Sequence, residues 1–283
     1  LIHSLLNGEG VPERLFGIYE KALPENSDWD RKTKSAKAAG FDFVELCIDE
    51  SDEKIERLNY AESRIREIAL VARENGLVMH SLCLSAHRKY PLGSKDDNTV
   101  NYSIELTRKA LDFAGIAGVK VLQIAGYDVF YEPSSEDTCS RFVENLGRIA
   151  SMAREYDVML GLENVDNEMS KTIEKCMSIL GNVDSPRLEM YPDFANMSAQ
   201  GVDYIEEMPK AQGHIIGLHI KDTKPDILRN VAMGAGTVDF DRIFFVLRKM
   251  NCFVPCVIEM WNQDLEDSTD IIRSALQFIK AKI

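Results

Sequence analysis

Glu163, Asp193, His219 and Glu259 sit at or just beyond the ends of four successive strand-like segments, VMLGLENVD, RLEMYPDFAN, IIGLHIKD and VPCVIEMW. They are 30, 26 and 40 residues apart, about one βα unit each, so a barrel of such units brings all four side chains to one mouth. Three carboxylates and one imidazole are the mixed oxygen and nitrogen set that a divalent cation such as Mn²⁺ or Zn²⁺ accepts, with room left for a substrate's oxygens. Acids at strand ends also cap helices or face water. Four in successive units, each ending an apolar run, favour a metal centre over that plainer role.

The elements that must position them are legible as eight short apolar or β-branched runs: LFGIYE, DFVELCI, LVMHSLCL, KVLQIAG, VMLGLE, RLEMYPD, IIGLHI and CVIEM. Helical spacing separates them. Ile65, Ile68, Ala69 and Ala72 recur at i, i+3, i+4 and i+7; Phe142, Leu146, Ile149 and Ala153 form a second stripe, and Ile272, Ala275, Leu276 and Ile279 a third. Strands alternating with amphipathic helices imply a parallel sheet with right-handed crossovers, and eight such units imply closure into a (β/α)8 TIM barrel. An open doubly wound sheet is the alternative. It is disfavoured because no GxGxxG follows the first strand and the chemistry is spread over several strand ends. With no Pro/Gly/Ser linker or composition shift, residues 1–283 are expected to form one domain with a short N-terminal arm.

Strand parity adds detail at the mouth. Gly161 shares a face with Glu163, and Gly217 with His219, so the layer beneath the ligands is small and leaves space for a metal and a small ligand. Lys221 points inward one layer above His219, where its ammonium reaches a substrate oxygen or a neighbouring acid. Glu45, between Phe43 and Cys47, is expected inside the barrel as a hydrogen-bonding acid behind the site. Two long loops leave the same face. The first carries His87 and Arg88 in HRKYPLGS, which has the cations and turn residues of an anion site. The second carries Gly234 and Gly236 before a helix beginning near Asp239, where backbone N–H groups either cradle a phosphate or form a plain turn.

A net charge of -13 and a pI near 4.9 repel a phosphate backbone, so nucleic acid is not expected as a partner. No apolar run reaches the ~18 residues needed to span a bilayer, and no basic segment precedes an apolar one at the start, so a cytoplasmic protein is expected. The six cysteines are scattered beside apolar residues and are expected as thiols.

The segments GIYEKALP, FVELCIDESDEKIERLNY, SLCLSAHRKYPLGS, LQIAGYDVFYE, GLENVD, LHIKDTKP and GTVDF together resemble the L-ribulose-5-phosphate (L-xylulose-5-phosphate) 3-epimerases of L-ascorbate utilisation. These are similar to the wider xylose-isomerase-like barrels, whose epimerases hold one divalent metal with Glu, Asp, His and Glu in that chain order. The resemblance implies Glu163, Asp193, His219 and Glu259 as ligands, with Glu163 and Glu259 also serving as acid and base. Free-ketose 3-epimerases of the superfamily have His three residues after the Asp; here that position is Asn196, which points to a ketopentose 5-phosphate. The expected reaction inverts C3 through a cis-enediolate, because the C3 hydrogen is acidic only beside the C2 carbonyl, and inversion needs a proton-transfer group on each face. An aldose–ketose isomerase and a sugar-phosphate binding protein are the rival readings. A homodimer is expected.

Overall fold

The computed structural model describes residues 14–283. The expected N-terminal arm lies largely outside that range. Ten strands are present among the described residues: β1 (Phe16–Tyr19), β2 (Phe43–Cys47), β3 (Val78–Cys83), β4 (Val121–Ala125), β5 (Met159–Glu163), β6 (Leu188–Met190), β7 (Leu218–Ile220), β8 (Asp222–Lys224), β9 (Ile227–Val231) and β10 (Cys256–Ile258). Eight of them fall within the eight apolar runs. All eight pair in parallel in the order β6-β5-β4-β3-β2-β1-β10-β7.

The sheet curls until its two ends meet. Between β6 and β7 the ladder is reduced to two parallel bridges, Met190 with Ile215 and Asp193 with His219. Their hydrogen bonds run from Ile216 N–H to Met190 O (3.0 Å) and from His219 N–H to Pro192 O (3.0 Å). The result is a TIM barrel in which every strand presents its C-terminal end to the same face.

Helices cover the outside of the barrel with the faces the periodicities indicate. Ile65, Ile68, Ala69 and Ala72 are buried in the helix Glu62–Glu74; Phe142, Leu146 and Ile149 in Glu136–Met152; Ile272, Ala275, Leu276 and Ile279 in Thr269–Lys280. Burying each such Leu, Ile or Phe contributes about 1.5–3 kcal/mol, so these stripes hold the helices to the sheet more firmly than helix propensity does. Polar caps set where they begin. Ser135 and Thr138 form a reciprocal capping box, and the Asp239 side chain accepts from Arg242 N–H to start the helix Phe240–Lys249. No helix among the described residues is long and apolar enough to cross a membrane.

The loop after the seventh strand is more structured than its composition suggests. It contains the antiparallel hairpin of β8 and β9, turned at Pro225 and Asp226, with Asp226 in the left-handed region at φ 61°. This hairpin stands over the barrel mouth and supplies Ile227, Leu228 and Arg229 to the cavity wall.

Candidate metal centre and active site

Glu163 ends β5, and its backbone is held in register with Ala125 of β4. Asp193 follows β6. Its main chain is gripped by Asn164, whose Nδ2 donates to Asp193 O at 2.8 Å and whose Oδ1 accepts from Asp193 N–H at 2.8 Å. One carboxylate oxygen, Oδ1, caps the short helix Phe194–Ala199 by accepting from Ala195 and Asn196 N–H, which leaves Oδ2 facing inward. His219 is the central residue of β7, and Glu259 follows β10, its N–H donating to Ile220 O at 2.8 Å. These four strand ends place one ligand atom from each residue within 4.8 Å of all the others.

The donor chemistry fits a divalent cation. Asp193 Oδ2 is buried, and Lys221 Nζ lies 2.6 Å from it as an ion pair. Three buried carboxylates and an imidazole share this cluster with the single ammonium of Lys221, an excess of negative charge that a further cation would offset. Oxygen and nitrogen donors without thiolate suit Mn²⁺ or Zn²⁺.

Glu45 sets the orientation of the imidazole. His219 Nε2 lies 2.6 Å from Glu45 Oε1, while Ser81 Oγ (2.6 Å) and Tyr191 OH (2.9 Å) both donate to Glu45 Oε2. With Nε2–H committed to Glu45, Nδ1 is the nitrogen that faces the cluster, 2.8 Å from Glu163 Oε1. Burial pulls the His219 pKa down, but the Glu45 and Glu163 carboxylates outweigh it and hold it well above 6.5. Burial raises Glu163. It also opposes ionisation of Glu259, where the adjacent Lys221 and His219 prevail and the net shift is downward.

The other expected site residues separate into two groups. Arg88, Asn196 and Lys221 line a cavity of about 400 Å³ at the mouth, together with Glu163 and Glu259. Lys221 Nζ lies 2.6 Å from Asp193 Oδ2 and 2.8 Å from Glu259 Oε2, so of its two expected roles the pairing with acids is the one present. Asn196 turns Nδ2 to Asn164 O at 2.9 Å.

His87 does not reach the cavity. It is 2% exposed, and its Nε2 lies 3.0 Å from Thr107 Oγ1. That oxygen gives its own hydrogen to Ser103 O, so His87 Nε2–H is the donor between the two. Gly234 and Gly236 hold no free phosphate cradle either, because both N–H groups donate to Asp222 Oδ2, at 2.9 and 2.8 Å. An aspartate of the same chain occupies that nest, so the plain-turn alternative is the one present.

The layer beneath the four-residue cluster is small, but it is not open space. A Cβ on Gly161 or Gly217 would come within 2.9 or 2.2 Å of the Tyr191 side chain, so both glycines make room for that ring. Tyr191 is buried across the barrel and reaches Glu45 through its hydroxyl.

Several residues at the site had no clear sequence signal. Gln123 Nε2 donates to Glu163 Oε2; its one mark was a polar residue within the apolar run KVLQIAG. Tyr127 and Phe130 form an aromatic wall with rings 4.9 Å apart, and Arg229 enters from the hairpin. No local pattern brings these loops together.

Residues 34–282 match the family model described as xylose isomerase-like TIM barrel. L-ribulose-5-phosphate 3-epimerase UlaE of Escherichia coli (strain K12) is 40% identical over 270 residues, covering 95% of this chain and 94% of that protein. The protein of the same name from Salmonella heidelberg (strain SL476) is 40% identical over 269 residues, again covering 95% and 94%. A solved L-ribulose 3-epimerase superposes with a TM-score of 0.79 at 19% identity, covering 95% of this chain and 94% of that one. A D-psicose 3-epimerase crystallised in the presence of D-fructose gives 0.79 at 15%, covering 94% and 98%. At those identities the structural matches establish the fold.

Proposed function

The chain belongs to the xylose isomerase-like TIM barrel family and, within it, to the L-ribulose-5-phosphate 3-epimerases; from that premise we propose that it interconverts L-ribulose 5-phosphate and L-xylulose 5-phosphate. The observation that carries the reading is the presence of two glutamates, Glu163 and Glu259, from non-adjacent strands of the barrel in one four-residue cluster. A single base would mostly return a proton to the face it came from. Two carboxylates let one remove the C3 proton while the other delivers a proton to the opposite face, leaving an enediolate between the two steps.

Glu163, Asp193, His219 and Glu259 would hold one divalent cation, Zn²⁺ or Mn²⁺, which when bound supplies Lewis-acid polarisation of the C2 carbonyl and so acidifies C3. The chain's own residues do the rest. Gln123 steadies Glu163, Lys221 steadies Glu259, and Glu45 fixes the His219 ring. The cavity of about 400 Å³ falls in the range for small-ligand sites, and Tyr127 and Phe130 give it an aromatic wall. The same reading includes one domain, a homodimer, and a place in L-ascorbate degradation in the cytoplasm.

The test is product identity. Metal-loaded protein incubated with L-ribulose 5-phosphate should form L-xylulose 5-phosphate and stop when a chelator is added. An aldopentose 5-phosphate as the product would replace this reading with an aldose–ketose isomerase.

A further inference from the structure

We infer that Cys47 and Cys83 form a two-sulfur site for a thiophilic divalent cation, Hg²⁺ being the type ion, set in the barrel wall beside the four-residue cluster and sharing none of its donors. Cys47 ends β2 and Cys83 ends β3, and the two are register partners on adjacent parallel strands. Two residues earlier, Glu45 and Ser81 are also partners, and they hydrogen-bond inside the barrel at 2.6 Å. Alternate residues of a strand share a face, so both thiols point into the same interior, one layer nearer the mouth. Tyr19 touches both: its hydroxyl lies 3.0 Å from Cys47 Sγ and 3.9 Å from Cys83 Sγ. Among the described residues that oxygen is the one hydrogen-bond partner of either sulfur.

The spacing suits one ion held between two sulfurs. Neighbouring strands lie about 4.7–4.9 Å apart, and two opposed metal–thiolate bonds of about 2.3 Å each span nearly that distance. Charge then selects the ion. Two thiolates and a divalent cation make a neutral unit, whereas a monovalent cation would leave a negative charge buried near two carboxylates: Glu45 lies one layer below, and Gln123, the register partner of Cys83, donates to Glu163. Zn²⁺ takes four ligands, and Tyr19 offers one more donor at most, so a soft cation satisfied by two sulfurs is favoured.

Both thiols are free, at 0% and 4% exposure. Burial pushes Cys47 up to about 12 and raises Cys83 as well, so both are neutral S–H groups. A neutral thiol is a poor nucleophile, which argues against a disulfide switch; a soft cation instead displaces the protons. Two S–H bonds break, two S–metal bonds form and two protons leave to solvent, with no change of oxidation state. Occupancy would push the Tyr19 hydroxyl off the sulfurs. The Tyr19 ring is 6.3 Å from that of His219, and Cys83 adjoins the Gln123 that holds Glu163, so the ion would disturb the cluster from the side.

Cys139→Ser/Cys252→Ser, which removes the two half-buried thiols, is the reference protein. HgCl₂ is titrated into its Mn²⁺-loaded form, with sulfur coordination read by X-ray absorption, bound Mn²⁺ by electron paramagnetic resonance and epimerisation of L-ribulose 5-phosphate followed in parallel. One Hg²⁺ per chain should bind through two sulfurs, with Mn²⁺ retained and turnover lost. Adding Cys47→Ser or Cys83→Ser should leave single-sulfur coordination and weaken Hg²⁺ binding, measured by competition with glutathione, by about 10²-fold or more, since the second thiol is no longer supplied by the same chain. Single-sulfur coordination in the reference protein, two-sulfur coordination that persists in either serine variant, or release of Mn²⁺ by the first equivalent of Hg²⁺ would overturn the site. Circular dichroism checks each variant before mercury is added. Cys47→Ala and Cys83→Ala replace a serine variant that misfolds, and the sulfur count in the reference protein decides the site without any of them. That count does not depend on epimerase activity, so the site stands or falls apart from the proposed reaction.

Discussion

Replacing Glu45 by Gln tests how the barrel interior prepares His219 for metal. The substitution keeps the volume of a fully buried side chain but removes its charge and exchanges one acceptor oxygen for an N–H₂ donor. Three donors converge on the present carboxylate: His219 Nε2 at 2.6 Å, Ser81 Oγ at 2.6 Å and Tyr191 OH at 2.9 Å. In one amide orientation the new N–H₂ faces His219, which must then carry its proton on Nδ1, the nitrogen directed at the cluster. In the other it faces Ser81 and Tyr191, whose hydroxyls can rotate to accept, and His219 keeps its tautomer but loses a charge-assisted partner. The second arrangement costs less and should dominate. Loss of such a partner typically weakens metal binding about 10–100-fold, which is roughly 1.4–2.7 kcal/mol. Calorimetric titration of Mn²⁺ and Zn²⁺ into apo protein reads this directly, with circular dichroism of the apo form checking that the fold is kept. Metal affinity and kcat both within twofold of the parent protein would refute the orienting role of Glu45.

Other consequences are as sharply testable. Glu163→Gln and Glu259→Gln should each lower kcat by at least the ~10²–10⁴-fold typical of a lost acid or base, measured as L-xylulose 5-phosphate formation at saturating metal; near-normal turnover in either would remove that residue from proton transfer. His87, pushed by burial down to about 4, should make stability pH-dependent. Its folded state stays neutral while the unfolded chain takes up a proton near pH 6.5, so the contribution is complete above that pH and is lost as pH falls towards 4. Urea titrations of the parent and His87→Gln at pH 7.5 and 4.5 should differ between the two pH values by about 2.5 kcal/mol, and a pH-independent difference would contradict the assignment. Gly236→Ala should lower stability by about 1–3 kcal/mol in thermal unfolding, because its Cβ would fall 2.0 Å from Asp222 Oδ1 and 2.3 Å from Thr223 O. An unchanged Tm would mean that the loop has room to move.

Much of the barrel and of the four-residue cluster at its mouth is legible because both are written in local pattern. VMLGLE and CVIEM read as strands from their apolar content, and Glu163 and Glu259 were notable because they closed such runs. The register of eight parallel strands then does the assembly, so residues 96 apart in the chain meet once the order is circular. What was not legible depends on which long-range partner fills a space or takes a hydrogen bond. The glycines at 161 and 217 were correctly placed inside the barrel, yet a tyrosine from β6's end fills the room they leave. The sequence leaves the N–H groups of Gly234 and Gly236 open to a phosphate cradle or a plain turn, and Asp222, 12 and 14 residues earlier, takes both. His87 and Arg88 are neighbours in a loop of cationic residues, but the turn sends one into the packing against Thr107 and the other into the cavity. Arg229 gave no signal, since its place depends on the hairpin of β8 and β9 standing over the mouth.

The most direct test of the account is solvent exchange at the reacting carbon. Metal-loaded protein with L-ribulose 5-phosphate in D₂O, followed by NMR, should show deuterium entering at C3 as L-xylulose 5-phosphate appears, with C1 remaining protiated. Deuterium at C1 or C2 with an aldose product, or tight binding of the sugar phosphate with no exchange at any carbon, would contradict it.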